Sequence, residues 1–120
     1  MKFQITSNNQ TWNKEIKISI LPPEKFELNQ NYPNPFNPST IISYTIPGSS
    51  SDFTLSKVTL KIYGLLGQEI ETLVDEALKP GFYKTEWNAS NYSSGMYVYQ
   101  ISMKKGDKTD FLRKMMLLVR

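Results

Sequence analysis

The 120-residue chain predicts an all-β protein: a two-sheet antiparallel β-sandwich of seven strands, preceded by a short hairpin. Three observations predict it. Apolar and polar residues alternate along one run after another, the period of a strand with one buried face. Those runs are filled by β-branched and aromatic residues, which suit a pleated surface. Each is bounded by glycine, proline, asparagine or serine, and several short strands joined by such turns fold as a sandwich.

The strands are expected near 25–29, 40–46, 56–63, 68–74, 82–87, 96–103 and 109–119. A short run, "KFELN", supplies the first. "TIISYTIP" places Ile42, Tyr44 and Ile46 on one face. "KVTLKIYG" places Val58, Leu60 and Ile62 on one face and Thr59 and Lys61 on the other. "QEIETLVDEALK" has helical character, but its flanking glycines and the neighbouring strand favour a strand and a loop. "FYKTEWN" sets Tyr83, Thr85 and Trp87 against Phe82, Lys84 and Glu86, and "MYVYQISM" groups Tyr97, Tyr99, Ile101 and Met103. The joints are "PGSSSD", "GLLGQE", "KPGF", "NASNYSSG" and "KKGDK". In "KPGF", Pro80 and Gly81 stand where a type II turn places them.

Residues 1–24 read as a separate unit. "FQIT" and "EIKISI" pair around "SNNQTWN", with Ile16, Ile18 and Ile20 on one face, and Pro22–Pro23 is a semi-rigid spacer that cannot extend a ladder. An isolated ribbon is barely stable in water. The expectation is therefore a hairpin or tail of an upstream domain over 1–24 and a domain proper over 25–120, in a chain that reads as a piece of a longer protein.

Composition narrows the function. Cysteine is absent, so there is no disulfide framework or thiolate site, and histidine is absent, which removes the commonest general base and metal ligand. No phosphate-cradling glycine loop or calcium-binding loop is present. No enzyme, cofactor or metal site is expected. The net charge is +3, and residues 104–120 carry six basic and two acidic side chains, or +4. No nucleic-acid motif accompanies them, so edge protection of a terminal strand is the preferred reading of the lysines. No run approaches the length of a membrane helix, and no membrane insertion is expected.

Three stretches carry most information. "NYPNPFNPST" holds Pro33, Pro35 and Pro38 interleaved with Asn34 and Asn37 around one aromatic, Phe36. Each proline fixes its own φ and pushes Tyr32, Asn34 or Asn37 toward extended backbone, so the box is a stiff lid with Phe36 as its apolar plug. In "SSGMYVY", Gly95, Tyr97 and Tyr99 have the spacing of the strand that follows the tyrosine corner of an immunoglobulin-like sandwich, with Tyr99 in the place of the cysteine and Trp87 as the core aromatic. That spacing makes the expected sandwich immunoglobulin-like. In "RKMMLLVR", the five apolar residues 115–119 imply a strand buried on both sides or a tail with a partner, bracketed by Arg113, Lys114 and Arg120.

Taken in order, "YPNPFNPST", "VTLKIYGLLGQEIETLV", "GFYKTEWNAS", "SSGMYVYQI" and "KMMLLVR" resemble the C-terminal sorting domain of type IX secretion cargo proteins over about residues 26–120. The resemblance implies a seven-stranded immunoglobulin-like sandwich that acts as a non-catalytic signal. It implies a cargo attached upstream, passage through the periplasm of a Gram-negative bacterium, and recognition by the outer-membrane machinery. A sortase-like surface peptidase then removes the domain, at a bond somewhere in 21–25, and the cargo is secreted or held at the cell surface. The sorting-motif residues carried over are Tyr32, Pro33, Asn34, Pro35, Phe36, Asn37 and Pro38, then Gly95, Tyr97 and Tyr99, then Lys114, Met115, Leu117, Leu118 and Arg120. Gly64 departs from the family, which usually has Asp after the tyrosine. Partners are the secretion machinery, the peptidase and the cargo, with self-association through strand edges and no nucleic acid. The alternatives are an immunoglobulin-like spacer, as in flagellar hook-capping proteins, and a carbohydrate-binding sandwich using Tyr32, Tyr83 and Tyr92.

Overall fold

A computed structural model describes residues 22–49 and 54–120; the expected hairpin of the first 21 residues lies outside the described residues. Seven strands follow in order: β1 (Glu27–Leu28), β2 (Ser39–Ile46), β3 (Ser56–Gly64), β4 (Glu69–Leu78), β5 (Gly81–Asn88), β6 (Gly95–Lys105) and β7 (Lys108–Leu118). They match the seven expected runs, and 69–78, the stretch with helical character, is strand throughout. The strands form a three-stranded antiparallel sheet, β1-β2-β5, and a four-stranded one, β4-β3-β6-β7.

The alternation of the sequence becomes the core. Ile42, Tyr44, Ile46 and Trp87 of the first sheet meet Val58, Leu60, Ile62, Tyr97, Tyr99, Ile101, Met116 and Leu118 of the second, and all are buried. Side chains of opposite parity, such as Lys57, Lys84 and Glu86, face water. The strand phases read from the sequence are therefore correct.

Two joints are tight hairpins. β3 turns into β4 through Gly64–Gln68, where the Gly64 and Gln68 backbones bond at 2.9 Å and Gly67 takes φ 90°. β6 turns into β7 through Gly106 at φ 65°. At Gly64 a Cβ would lie 2.7 Å from the Gln68 side-chain amide, so in this chain Gln68 folds over the place of the family's aspartate.

"KPGF" departs from the expected turn. Gly81 is not among the glycines at positive φ, which a type II turn demands at its third position. The chain there crosses from the four-stranded to the three-stranded sheet, because β4 pairs with β3 and β5 with β2. The hydroxyl of Tyr83 fastens this corner by donating to the Lys79 carbonyl at 2.7 Å.

The terminal run also differs. Along 115–119 the residues alternate: Met116 and Leu118 are fully buried, while Met115 and, just past the end of β7, Val119 remain 48% and 46% exposed. One face of the run enters the core and the other does not, because β7 is the last strand of its sheet and only one sheet lies beneath it.

Candidate functional site

The proline-asparagine box and the end of the chain form one structure. Phe36 is 2% exposed and packs against Trp87 with ring centroids 5.7 Å apart. Its backbone N–H donates to the Leu117 carbonyl at 3.0 Å, and its carbonyl accepts from the Val119 N–H at 3.0 Å. The Leu117 N–H donates to Asn34 Oδ1 at 3.0 Å, and Gln30 Nε2 donates to the Met115 carbonyl at 2.7 Å. These groups lie on the edge of β7 away from β6. The box thus covers the apolar end of an otherwise open strand edge. The peptide bonds before Pro33, Pro35 and Pro38 are all cis.

Side chains behind the box fix its start. Asn31, 2% exposed, donates to Thr40 Oγ1 at 3.0 Å and to the Pro33 carbonyl at 3.2 Å, and Thr40 donates to the same carbonyl at 2.8 Å. Tyr99 reaches across from the four-stranded sheet: its hydroxyl donates to the Asn29 carbonyl at 2.7 Å and accepts from the Asn31 N–H at 2.8 Å. Tyr99 stands where the tyrosine-corner spacing of immunoglobulin-like sandwiches has a cysteine, and these two bonds tie together segments some 70 residues apart in the sequence. Burial pushes its hydroxyl up to about 12, against the opposing pull of the Asn31 amide. Asn37 and Pro38 close the box, where the Pro38 carbonyl accepts from the Ala89 N–H at 2.8 Å.

The second motif is a tyrosine corner. The Tyr97 hydroxyl donates to the Ser93 carbonyl at 2.6 Å, four residues upstream. Gly95 takes φ 151° with open space where a Cβ would be, so its constraint is the backbone angle. Trp87 is 1% exposed, lies edge-on to Tyr97 at 5.6 Å, and donates its indole N–H to Glu71 at 3.0 Å. Glu71 also accepts from Tyr92 at 3.4 Å, and burial followed by the Glu71 charge raises the Tyr92 hydroxyl above its ordinary value.

The basic residues at the end of the chain are not equivalent. Arg120 folds back onto the 88–94 loop, donating to the carbonyls of Ala89, Ser90 and Tyr92, the last at 2.6 Å, while its backbone N–H donates to Ser94 Oγ at 2.9 Å. Lys114 shares the inward parity of Leu112 and Met116 and lines a cleft with Phe26, Glu27, Leu28 and Asn29. Neither is a freely solvated edge charge. Sequence reasoning missed the Arg120 clamp and the Glu71–Trp87 bond, since each joins residues distant in the chain.

Of the sequence-predicted residues, Phe36, Tyr97, Tyr99 and Leu118 are buried, and Tyr32 is 80% exposed. Leu117 is half-buried on the outer face beside Met115. The three tyrosines of the carbohydrate-binding alternative do not form a planar row: Tyr83 stacks on Tyr44 at 5.7 Å, and Tyr92 packs on Trp87 at 5.6 Å. Among the described residues, no group of three or more His, Cys, Asp or Glu is placed to hold a metal, and no helix is long and apolar enough to cross a membrane.

This is the build of an all-β module whose proline-asparagine box is hydrogen-bonded to its last strand. The signature of the family described as the secretion system C-terminal sorting domain matches residues 30–116, and the chain belongs to that family, the sorting domains of type IX secretion. No curated protein and no solved structure gives a significant match.

Proposed function

We propose that this domain is the non-catalytic signal that carries an upstream cargo through the type IX system, by way of the periplasm of a Gram-negative bacterium and across its outer membrane. A sortase-like peptidase then removes it ahead of β1. The observation that supports this reading best is the seam between the box and the C-terminal strand. The proline-asparagine box and the terminal run, two of the three stretches read as sorting motifs, are joined by hydrogen bonds between Phe36 and Asn34 on one side and Leu117 and Val119 on the other, a pairing that requires the folded domain. A receptor binding there senses that the domain has folded. Its fold is read as immunoglobulin-like on the strength of the Tyr97 corner and the Trp87 core.

The boundary of the domain is proposed at Pro22–Pro23. The Gly48 N–H donates to the Pro23 carbonyl at 3.2 Å, and Thr45 donates to the Lys25 carbonyl at 2.7 Å, so the sandwich holds the chain from Pro23 onward. Self-association is proposed through the part of β7 that the box leaves open.

The test is a transplant. Residues 22–120 are fused behind a fluorescent protein that carries a periplasmic signal peptide, in a bacterium with an intact type IX system. The reporter is expected at the cell surface or in the medium, and in the periplasm of a strain lacking the system. Equal distribution in both strains would reject the reading.

A further inference from the structure

The outer face of the four-stranded sheet is apolar at one end, where such a face usually presents polar residues to water. The register fixes its rungs. Tyr63, Val98 and Met115 lie side by side across β3, β6 and β7, and Met96 lies beside Leu117. The β3–β4 hairpin extends this end with Leu65 and Leu66, exposed to 61% and 94%. The next rung is Lys61, Gln100 and Arg113. Lys61 is neutralised by Glu69 at 3.0 Å, whereas Arg113 bonds only the neutral amide of Gln100, at 2.7 Å, and among the described residues no carboxylate pairs with it. Between them lies a shallow notch of about 360 Å³ lined by Tyr63, Gly64, Leu65, Val98, Gln100 and Arg113.

We infer that this notch is a docking site for an acidic, apolar segment of a partner protein. The segment places a large apolar side chain on Tyr63, Val98 and Leu65, lays further apolar surface over Leu66 at the hairpin tip, and sets a carboxylate on the Arg113 guanidinium. The chemistry follows from the charges. A guanidinium has five N–H donors in a fixed fork suited to a carboxylate, and Gln100 occupies few of them. An uncompensated cation beside an apolar floor favours a partner that brings both apolar surface and negative charge. Leu65 and Leu66 stand on a two-stranded tip outside the core and add apolar surface beside the cation. The inference rests on the sorting reading, because it makes that partner a component of the export route. It also adds a second surface, whose notch adjoins the seam of the box and β7 through Met115 and is lined by none of the seam's residues.

The experiment uses the full-length cargo protein in its producing bacterium. The variants are Leu66→Ser, Arg113→Gln and Arg113→Lys, with Lys104→Gln at the far end of the same face as control and removal of 115–120 as reference. Thermal melting of each purified protein accompanies the export assay. Leu66→Ser and Arg113→Gln are expected to melt like the parent yet lower export about tenfold or more, the size of losing a charge-assisted or buried contact. Arg113→Lys is expected to retain most export, and Lys104→Gln all of it. Normal export by Leu66→Ser and Arg113→Gln, with the truncated protein retained in the periplasm, overturns the docking site and leaves the sorting reading standing. Normal export by the truncated protein overturns the sorting reading itself. Sedimentation supplies the remaining outcome: a dimer of the parent that Leu66→Ser dissolves assigns the face to a second copy and also overturns the inference.

Discussion

Replacing Tyr99 by phenylalanine isolates one atom of the link between the core and the proline-asparagine box. The ring stays, so the cavity left is no larger than a hydroxyl. What is lost is a donor to the Asn29 carbonyl and an acceptor for the Asn31 N–H. Asn31 is 2% exposed, so its amide hydrogen has no access to water as a substitute. An orphaned buried group costs about 1–3 kcal/mol and a lost ordinary bond about 0.5–1.5 kcal/mol, which together give about 1.5–4.5 kcal/mol. Urea titration followed by Trp87 emission measures it. The pH dependence supplies a second, independent check. Burial raises the Tyr99 hydroxyl from 10.0 to about 12, so the fold favours its protonated form. That contribution is complete below about pH 10 and is lost as pH rises through 12. The variant has no such group, so the gap between parent and variant narrows over that range. Tyr44, also raised to about 12 by burial, titrates in both proteins and does not affect the difference. A gap below about 0.5 kcal/mol at pH 7, or one that widens with pH, would refute the reasoning.

Trp87→Ala removes the largest fully buried side chain and is expected to lower stability by about 3–5 kcal/mol in thermal melting. Arg120→Glu is expected to destabilise by about 1 kcal/mol, because it sets a carboxylate against the carbonyls of Ala89, Ser90 and Tyr92; an unchanged melting point would show that the clamp contributes nothing. Asn34→Ala leaves the Leu117 N–H without its acceptor and is expected to cost about 0.5–1.5 kcal/mol, with faster hydrogen exchange at Leu117 as its local signature.

The strand phases were legible because burial on one face writes itself into every second residue. Val58, Leu60 and Ile62 announce the inner face of β3 from within five residues of sequence. The Tyr97 corner was legible for a similar reason, since its bond spans only four residues. The seam was not. Asn34 and Leu117 meet across 83 positions, and no local pattern encodes that pairing. The same blindness left the run 115–119 open between burial on both faces and a tail with a partner. Five apolar residues in a row suggest burial on both faces, but Met115 and Leu117 belong to an apolar outer surface that the sequence cannot distinguish from core. The Arg120 clamp was not legible because its partners Ala89 and Tyr92 lie 31 and 28 positions away in the chain.

These differences change what the basic C-terminal segment does. β7 is an edge strand, and an open edge invites pairing with another chain. Its free edge has two halves. From Met115 to Val119 the backbone groups bond Gln30, Asn34 and Phe36, so hydrogen bonds close it. By the alternation of a strand, the amides of Phe111 and Arg113 face the same way, where no described strand pairs with them. That half carries charge, with Arg113 on its outer face and Lys108 at its start, and it is the edge through which self-association is proposed. The division follows the side chains. "MMLLV" is apolar, uncharged and free of proline, the composition most prone to stacking with its own kind, so it is the half that needs a physical cover. Prolines suit the cover because they lack N–H groups and cannot template a further strand. The box is therefore protective and diagnostic at once: a chain that has not yet folded exposes the segment most prone to aggregation, and folding the box onto β7 hides that edge while completing the surface proposed for recognition.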